Sequence, residues 1–481
     1  MLEHKKKVVI IKKTTKKREV ISLTPTDLKE IKRWILTGSF DKEFYSDLNK
    51  IDLSKIHLIR KAAFTNVEEL TKIVLDNSQI VTKPETLLLS LVFLSMGNFH
   101  AKKIFRTAFQ KIVKSPNDLY LFLSLVRKYR GMGSIIHLVI KQWFISHDVH
   151  FLERAFVGEG AKYGWSGQDI IRIIKPKPRN KIESLIFKWL AKGEIGFNDK
   201  IDYENNLPLI CLYEKLRNNS FNKPVTDLID EFNFDPSAIP GNVIRSKDVL
   251  YKVLDSKTDD EFFRYIKSRI FLQGMEDYLS TRLVDILKEK RTLKIDVIEL
   301  LSLLNTLISA SVNMNTVMVL QDIIREKIKS LSGTKDDVVH LIDMSNNMFC
   351  SIDPFLLISP AVIASNASAS SNNVFSFNGV RRSKDIRAIM EAEGGLETEN
   401  HIKAAKLNFV PNAIFIWTNR KYLHDIERSV SKLKAENITT NVCLISLSES
   451  KLSNSNNRFF TIHGYNSRTK KIMRLVERGI L

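Results

Sequence analysis

The chain has 481 residues, 44% of them hydrophobic, and carries 74 Lys and Arg against 54 Asp and Glu for a formal charge of +20. That much apolar side chain excludes a disordered tether and fits two or three globular units. The positive excess favours a polyanionic partner, a description that RNA, DNA and acidic membranes all satisfy.

Cys211, Cys350 and Cys443 lie far apart with no CxxC pair, which argues against a disulfide framework or a zinc knuckle and makes the cytosol the natural compartment. The most apolar runs are Leu87 to Met96, too short to cross a bilayer, and Val297 to Val312, interrupted by Glu299 and Asn305, so no membrane partner is expected. The N-terminus has charge but no apolar core before a small-residue cleavage site, so no secretory signal is expected.

Residues 1–20 read as a basic arm, with Lys5, Lys6, Lys7, Lys12, Lys13, Lys16, Lys17 and Arg18 set around short Val and Ile pairs. Thr24-Pro25-Thr26-Asp27 then supplies cap and first-turn residues, and apolar positions recur at helical spacing through Leu28, Ile31, Ile35 and Leu36. Further helices are predicted at Val67 to Leu75, Glu85 to Met96, Ala101 to Val113, Leu119 to Tyr129, Ile135 to Phe144, Asp169 to Ile174 and Ile182 to Leu190. Short Gly, Pro, Asn or Ser punctuation separates them, as at Gly97-Asn98 and Gly131-Met132-Gly133. Amphipathic helices in series predict a solenoid of helix pairs, each burying its apolar face only by stacking on neighbours. Helical texture continues through Lys247 to Leu254, Asp260 to Phe271, Tyr278 to Lys288, Asp296 to Ala310 and Thr316 to Leu331. Beyond Ser332 to Asp337 the chain alternates helix-length segments with apolar strands at Val338 to Ile342, Val374 to Phe377, Ala413 to Trp417 and Asn441 to Leu447. This is the pattern of a parallel sheet covered on both faces.

Several segments in consistent order resemble the TROVE module of Ro autoantigens and their bacterial relatives. They are Leu28 to Gly38, Lys83 to Met96, Gly131-Met132-Gly133 leading to Lys141-Gln142-Trp143-Phe144, and Lys162-Tyr163-Gly164-Trp165-Ser166, which runs on to Asp169-Ile170-Ile171-Arg172 and Lys175-Pro176-Lys177-Pro178. Ile239-Pro240-Gly241-Asn242 through Leu254 is a further such segment, and Ile342-Asp343-Met344-Ser345 opens a domain where the family places one. The resemblance implies a mostly α protein: the basic arm at 1–20, a HEAT-like helical-repeat ring over 21–331 and a C-terminal α/β von Willebrand factor A-like domain over 332–481. It also implies a monomer that binds RNA. Single-stranded 3′ ends would enter the ring, and small non-coding or misfolded RNA would dock on its basic outer surface, with a nuclease or another protein as a further partner.

The candidate phosphate contacts are Arg127, Lys128, Arg130 and Lys141 around the Gly-x-Gly turn, with Lys162, Arg172, Lys175, Lys177 and Arg179; the competing reading is that these side chains only solvate an outer helical face. Tyr163 and Trp165 are candidate stacking platforms for an unpaired base, or packed core rings. Ser134 to His137 stand where the family is rich in Arg and Lys, and Gly167 and Gln168 stand where it has a His and a basic residue. These departures point away from Y-type RNA and toward looser binding of RNA ends.

An A-like domain raises the question of a divalent cation such as Mg, because its adhesion site gathers oxygens from an Asp-x-Ser-x-Ser loop plus a Thr and an Asp from later loops. Here Asp343 and Ser345 are kept, Asn347 takes the third position, Leu396 stands where Thr is expected and Asn419 replaces the later carboxylate, so the site is degenerate. No HExxH, phosphate loop or nucleophile elbow is present, and the chain reads as a binding protein and not an enzyme. Two other functions stay open at this level: a helical scaffold that has lost RNA binding, and a metal-dependent hydrolase centred on the degenerate loop.

Overall fold

The computed structural model describes residues 23–45, 51–196, 199–218, 224–232, 239–266, 274–289, 291, 293–329, 337–342, 374–376, 412–418, 440–446, 459–465 and 467–481. The basic arm, and Asp343, Ser345 and Asn347 with the rest of the expected cation loop, lie outside the described residues.

The first ten helices are α1 Pro25–Thr37, α2 Ile56–Thr65, α3 Val67–Asp76, α4 Pro84–Leu94, α5 Phe99–Ile112, α6 Pro116–Tyr129, α7 Ser134–Ser146, α8 Val149–Phe156, α9 Gly167–Ile174 and α10 Lys181–Lys192. Their starts follow local rules. Thr24, Ser115 and Ser166 each form a capping box with an Asp three residues on, and Pro25, Pro84 and Pro116 occupy the first turn, where a missing N–H costs nothing.

Packing follows an every-second-helix rule. α2 packs on α4 and α4 on α6, while α3 packs on α5, α5 on α7 and α7 on α9, giving two rows of stacked helices. α4 is apolar all round and is buried from Thr86 to Leu94, as a helix flanked on every side must be. The pattern continues further along the chain: α8 packs on α10, Pro208–Arg217 on Gly241–Ile244, Val225–Phe232 on Lys247–Asp255, Asp259–Tyr265 on Val297–Ser309 and Glu276–Lys288 on Met314–Lys329. One continuous apolar cluster runs from Leu23 to Ile324.

Six strands form one parallel sheet: β1 Glu43–Tyr45, β2 Val338–Ile342, β3 Val374–Ser376, β4 Ala413–Trp417, β5 Asn441–Ser446 and β6 Phe460–His463, in the order β1-β6-β5-β4-β2-β3. Every residue of β2 and β4 is buried, which requires cover on both faces. Strand order reverses at β2, and the register Ile342 opposite Trp417 brings the carboxyl ends of β2 and β4 side by side, the usual ligand crevice of such sheets.

β1 and β6 are additions to the strands predicted from sequence, β6 as the short run Phe460-Thr461-Ile462-His463, and β1 belongs to the helical half of the chain. It nevertheless pairs with β6 in the register Glu43 with Thr461, Phe44 with Ile462 and Tyr45 with His463. Phe44 enters the sheet core, Tyr45 stacks on His463 at 4.6 Å, and the Thr461 amide donates to the Lys42 carbonyl at 2.8 Å. At the other end of the repeat, Lys470 in the last helix, Ser467–Glu477, pairs with Asp296 at 2.6 Å, just before Val297–Ser309. The α/β unit therefore touches both the first and the last helices, and the chain closes on itself. Covalent linkage joins the last helices to the sheet, whereas the first helices meet it through β1.

Phe44→Ala removes the one large side chain that β1 puts into the sheet core. It is expected to lower stability by about 3–5 kcal/mol in denaturant unfolding and to speed hydrogen exchange at the Thr461 amide. Unchanged exchange there would mean that β1 does not hold the seam.

Candidate nucleic-acid interface

Helix α5 starts where the chain can barely fit. A Cβ on Gly97 would lie 2.5 Å from the Ala101 Cβ and 2.7 Å from the Ala63 carbonyl oxygen, so only glycine lets the turn sit against the end of α2. The Asn98 side chain then accepts from the Ala101 amide at 2.9 Å and fixes the first turn. Ala101, Phe105, Ala108 and Phe109 point inward, which leaves Lys103, Arg106, Lys111 and Lys114 exposed along the outer face with Lys102 at its edge.

The stretch that carries this face is acid-poor in sequence, while across the contact with α3 Glu68 lies 3.3 Å from His100 in the first turn of α5. Residues 86–147 hold nine Lys and Arg against one carboxylate, Asp118, a net +8 out of the +20 of the whole chain. Asp118 is consumed locally: its carboxylate accepts from the Ser115 amide at 3.0 Å and hydroxyl at 2.8 Å in the cap of α6. Helix α7 docks beside α5 through Gln110 Nε2 on the Val139 carbonyl at 3.3 Å and Trp143 Nε1 on the Val113 carbonyl at 2.9 Å, and Lys141 stands exposed on it.

Between α6 and α7 the Gly131-Met132-Gly133 turn frames an open cavity of about 430 Å³, lined also by Ser95, Met96, Lys102 and Arg130. Gly131 has φ +89, a left-handed value that L side chains rarely adopt, and a Cβ on Gly133 would come within 3.0 Å of the Arg130 guanidinium. Arg130 donates to the Gly131 carbonyl at 3.1 Å and the Ser95 carbonyl at 3.4 Å, and burial pulls its pKa below the ordinary value. Arg127 and Lys128 are exposed on the last turn of α6, Lys128 resting over the Tyr129 ring at 5.1 Å.

The second candidate segment is a tight hairpin. Lys162 and Trp165 exchange backbone hydrogen bonds at 2.8 and 2.9 Å, with Tyr163 at φ 53 and Gly164 at φ 77 between them. Two positive φ values make this a type I′ turn. Tyr163 is presented at the tip, 52% exposed, while Trp165 is 8% exposed. The proposed stacking pair is thus divided: Trp165 packs in the core beneath the turn, where no base reaches its faces, and only Tyr163 is open to solvent.

Several basic candidates here are engaged by their own fold. Lys162 pairs with Glu159 at 2.8 Å. Arg172 Nε and Gln168 Nε2 both donate to the Ala191 carbonyl, at 2.9 and 3.1 Å, capping the carboxyl end of α10. Arg179 Nε binds Glu183 at 2.7 Å; burial pushes the Glu183 carboxyl up, but hydrogen bonds and charge from Arg179 outweigh this and hold it below the usual range. Lys175, the left-handed cap of α9 at φ 47, and Lys177 are exposed.

Sequence reasoning located the Gly-x-Gly turn and the hairpin but passed over α5, whose signal is the scarcity of carboxylates between Glu85 and Asp148. Among the described residues no group of three or more His, Cys, Asp or Glu side chains could hold a metal ion, and no helix is long and apolar enough to cross a membrane.

The turn geometry separates the two aromatic candidates by stability. Tyr163→Gly relieves a left-handed strain and is expected to raise stability by about 1 kcal/mol, whereas Trp165→Ala is expected to lower it by about 3–5 kcal/mol. Chemical denaturation of both variants checks this; equal effects would mean the turn is not strained as described.

No protein-family model matches the chain. Among solved structures it is similar to the crystal structure of the RO (RSR) protein of Deinococcus radiodurans, with a TM-score of 0.75 at 15% sequence identity, over 95% of this chain and 100% of that one. Because the match spans nearly the whole chain, the helical repeat and the α/β unit together have the fold of a Ro protein.

Proposed function

We propose that this chain is an RNA-binding protein of Ro type, which holds single-stranded RNA, ends included, along the basic surface of α5, the last turn of α6 and α7. The observation that carries this reading is the net +8 of residues 86–147, displayed with its single acid already committed to a helix cap. Exposed Lys and Arg in an acid-poor field neutralise phosphates and release their counterions, which binds a strand without reading its bases. Lys103, Arg106, Lys111, Lys114, Arg127 and Lys141 supply that field, with Arg130 and Lys102 at the cavity. Small non-coding RNA and misfolded RNA are the substrate classes, and the protein works by retention, stabilising RNA or presenting its ends to a nuclease, with no chemistry of its own.

A second reading, a helical scaffold that keeps the Ro fold without RNA binding, draws on the internal engagement of Lys162, Arg172 and Arg179. Filter binding of a labelled single-stranded RNA across a salt series separates the two. RNA binding gives a log–log slope of about −0.7 per phosphate contact, and the combined variant Lys103→Ala, Arg106→Ala, Lys111→Ala flattens that slope by about 2. A scaffold binds weakly, and removing the three bases leaves its slope unchanged.

A further inference from the structure

Phe99 is the first residue of α5 and is 85% exposed, more than any other large apolar side chain among the described residues. Burying a phenyl ring is worth about 1.5–3 kcal/mol, so this ring stays in water at a cost. The backbone beneath it is fixed, not loose: Gly97 is wedged against Ala63 and Ala101, and Asn98 caps the turn. Phe99 therefore stands at a set position. Lys102 and Lys103 follow at i+3 and i+4, on the same face of the helix, and Arg106 continues that row. Lys102 also lines the cavity, together with Arg130 and the Gly131-Met132-Gly133 turn.

We propose that Phe99 and this cavity form a subsite for one unpaired nucleotide: the base stacks on the Phe99 ring, and its phosphate lies between Lys102 and Arg130. The proposal rests on the RNA-binding reading above and makes it specific to single strands. An aromatic face accepts any base that is free to lie on it, and the stacked bases of a duplex are not free. Lys102, Lys103 and Arg106 on the ring's side of the helix outnumber the one carboxylate beside it, Glu68 at 3.3 Å from His100, and favour a polyanion over an apolar peptide. A single ring set among cations also lacks the wide apolar face with which an interfacial helix enters a membrane.

All five native tryptophans, Trp34, Trp143, Trp165, Trp189 and Trp417, are buried. Phe99→Trp consequently adds one solvent-exposed emitter to the full-length protein. The expected result is that oligouridylate quenches this emission and that a fully paired RNA duplex, bound as judged by filter retention, does not. Phe99→Ala should weaken oligouridylate binding by about 5- to 150-fold, the range for one stacked base, with duplex binding and salt slope unchanged. Lys102→Ala should instead lower the single-strand slope by about 0.7. If the unaltered protein retains RNA but Phe99→Ala stays within about twofold of it, the subsite is overturned and the RNA-binding reading stands. If the unaltered protein retains no RNA, both fall. A blue shift of the added emitter on anionic phospholipid vesicles, without quenching by oligouridylate, would overturn the subsite in favour of a membrane surface.

Discussion

No helix pair in this chain can bury its apolar face alone, and every other feature follows from that constraint. Along one row the helices stack two positions apart, α3 on α5, α5 on α7, α7 on α9, and this order leaves helices such as α5 an outward strip with no packing duty, while α4 is enclosed on every side. On α5 the inward positions are Ala101, Phe105, Ala108 and Phe109, and the outward strip is free to be wholly cationic at no cost to the core. A solenoid also has two raw ends. Here the α/β unit covers them, with β1 lending a strand from the start of the repeat and Lys470 reaching Asp296 near its finish.

How much of this was legible depended on how local the determining forces were. The helices with caps and regular apolar spacing, such as α1, α5 and α6, could be predicted because their signals lie within one or two turns. Strands β2, β4 and β5 were visible as apolar runs buried on both faces. β1 was not, because Glu43-Phe44-Tyr45 is too short to show a period, and its partner β6 lies more than four hundred residues away in sequence. Ser467–Glu477 was missed for a different reason: its polar face outweighs the buried Ile472, Met473, Leu475 and Val476 in any average over the segment.

The candidate site was legible as charge but not as availability. Sequence places Arg172 and Arg179 in a basic group; only the fold reveals that Arg172 caps α10 and that Arg179 binds Glu183. The same holds for Tyr163 and Trp165, which differ by two positions and a type I′ turn that sends one ring to water and the other to the core. The basic row on α5 shows the reverse failure. Its defining property is an absence of carboxylates over a long stretch, and motif reasoning looks for residues that are present.

Availability decides which cations a phosphate chain can use. A half-exposed ion pair such as Lys162 with Glu159 already satisfies its lysine, so exchanging the carboxylate for a phosphate gains little. A lysine that gives up no carboxylate, in an acid-poor field, gains more of the contact. Neighbouring helices lie about 8–10 Å apart, within about one Debye length at physiological salt. The exposed bases of α5 and α7 are therefore not screened from one another and act on a strand as a single field. Other stretches of the chain are basic too, residues 172–192 carrying seven Lys and Arg against Glu183 alone, but there Arg172 and Arg179 are engaged by their own fold. A polyanion reaching α5 and α7 meets that field as charge alone, and whatever discrimination follows has to come from groups that see more than charge, of which the Phe99 ring is the most exposed large apolar one among the described residues.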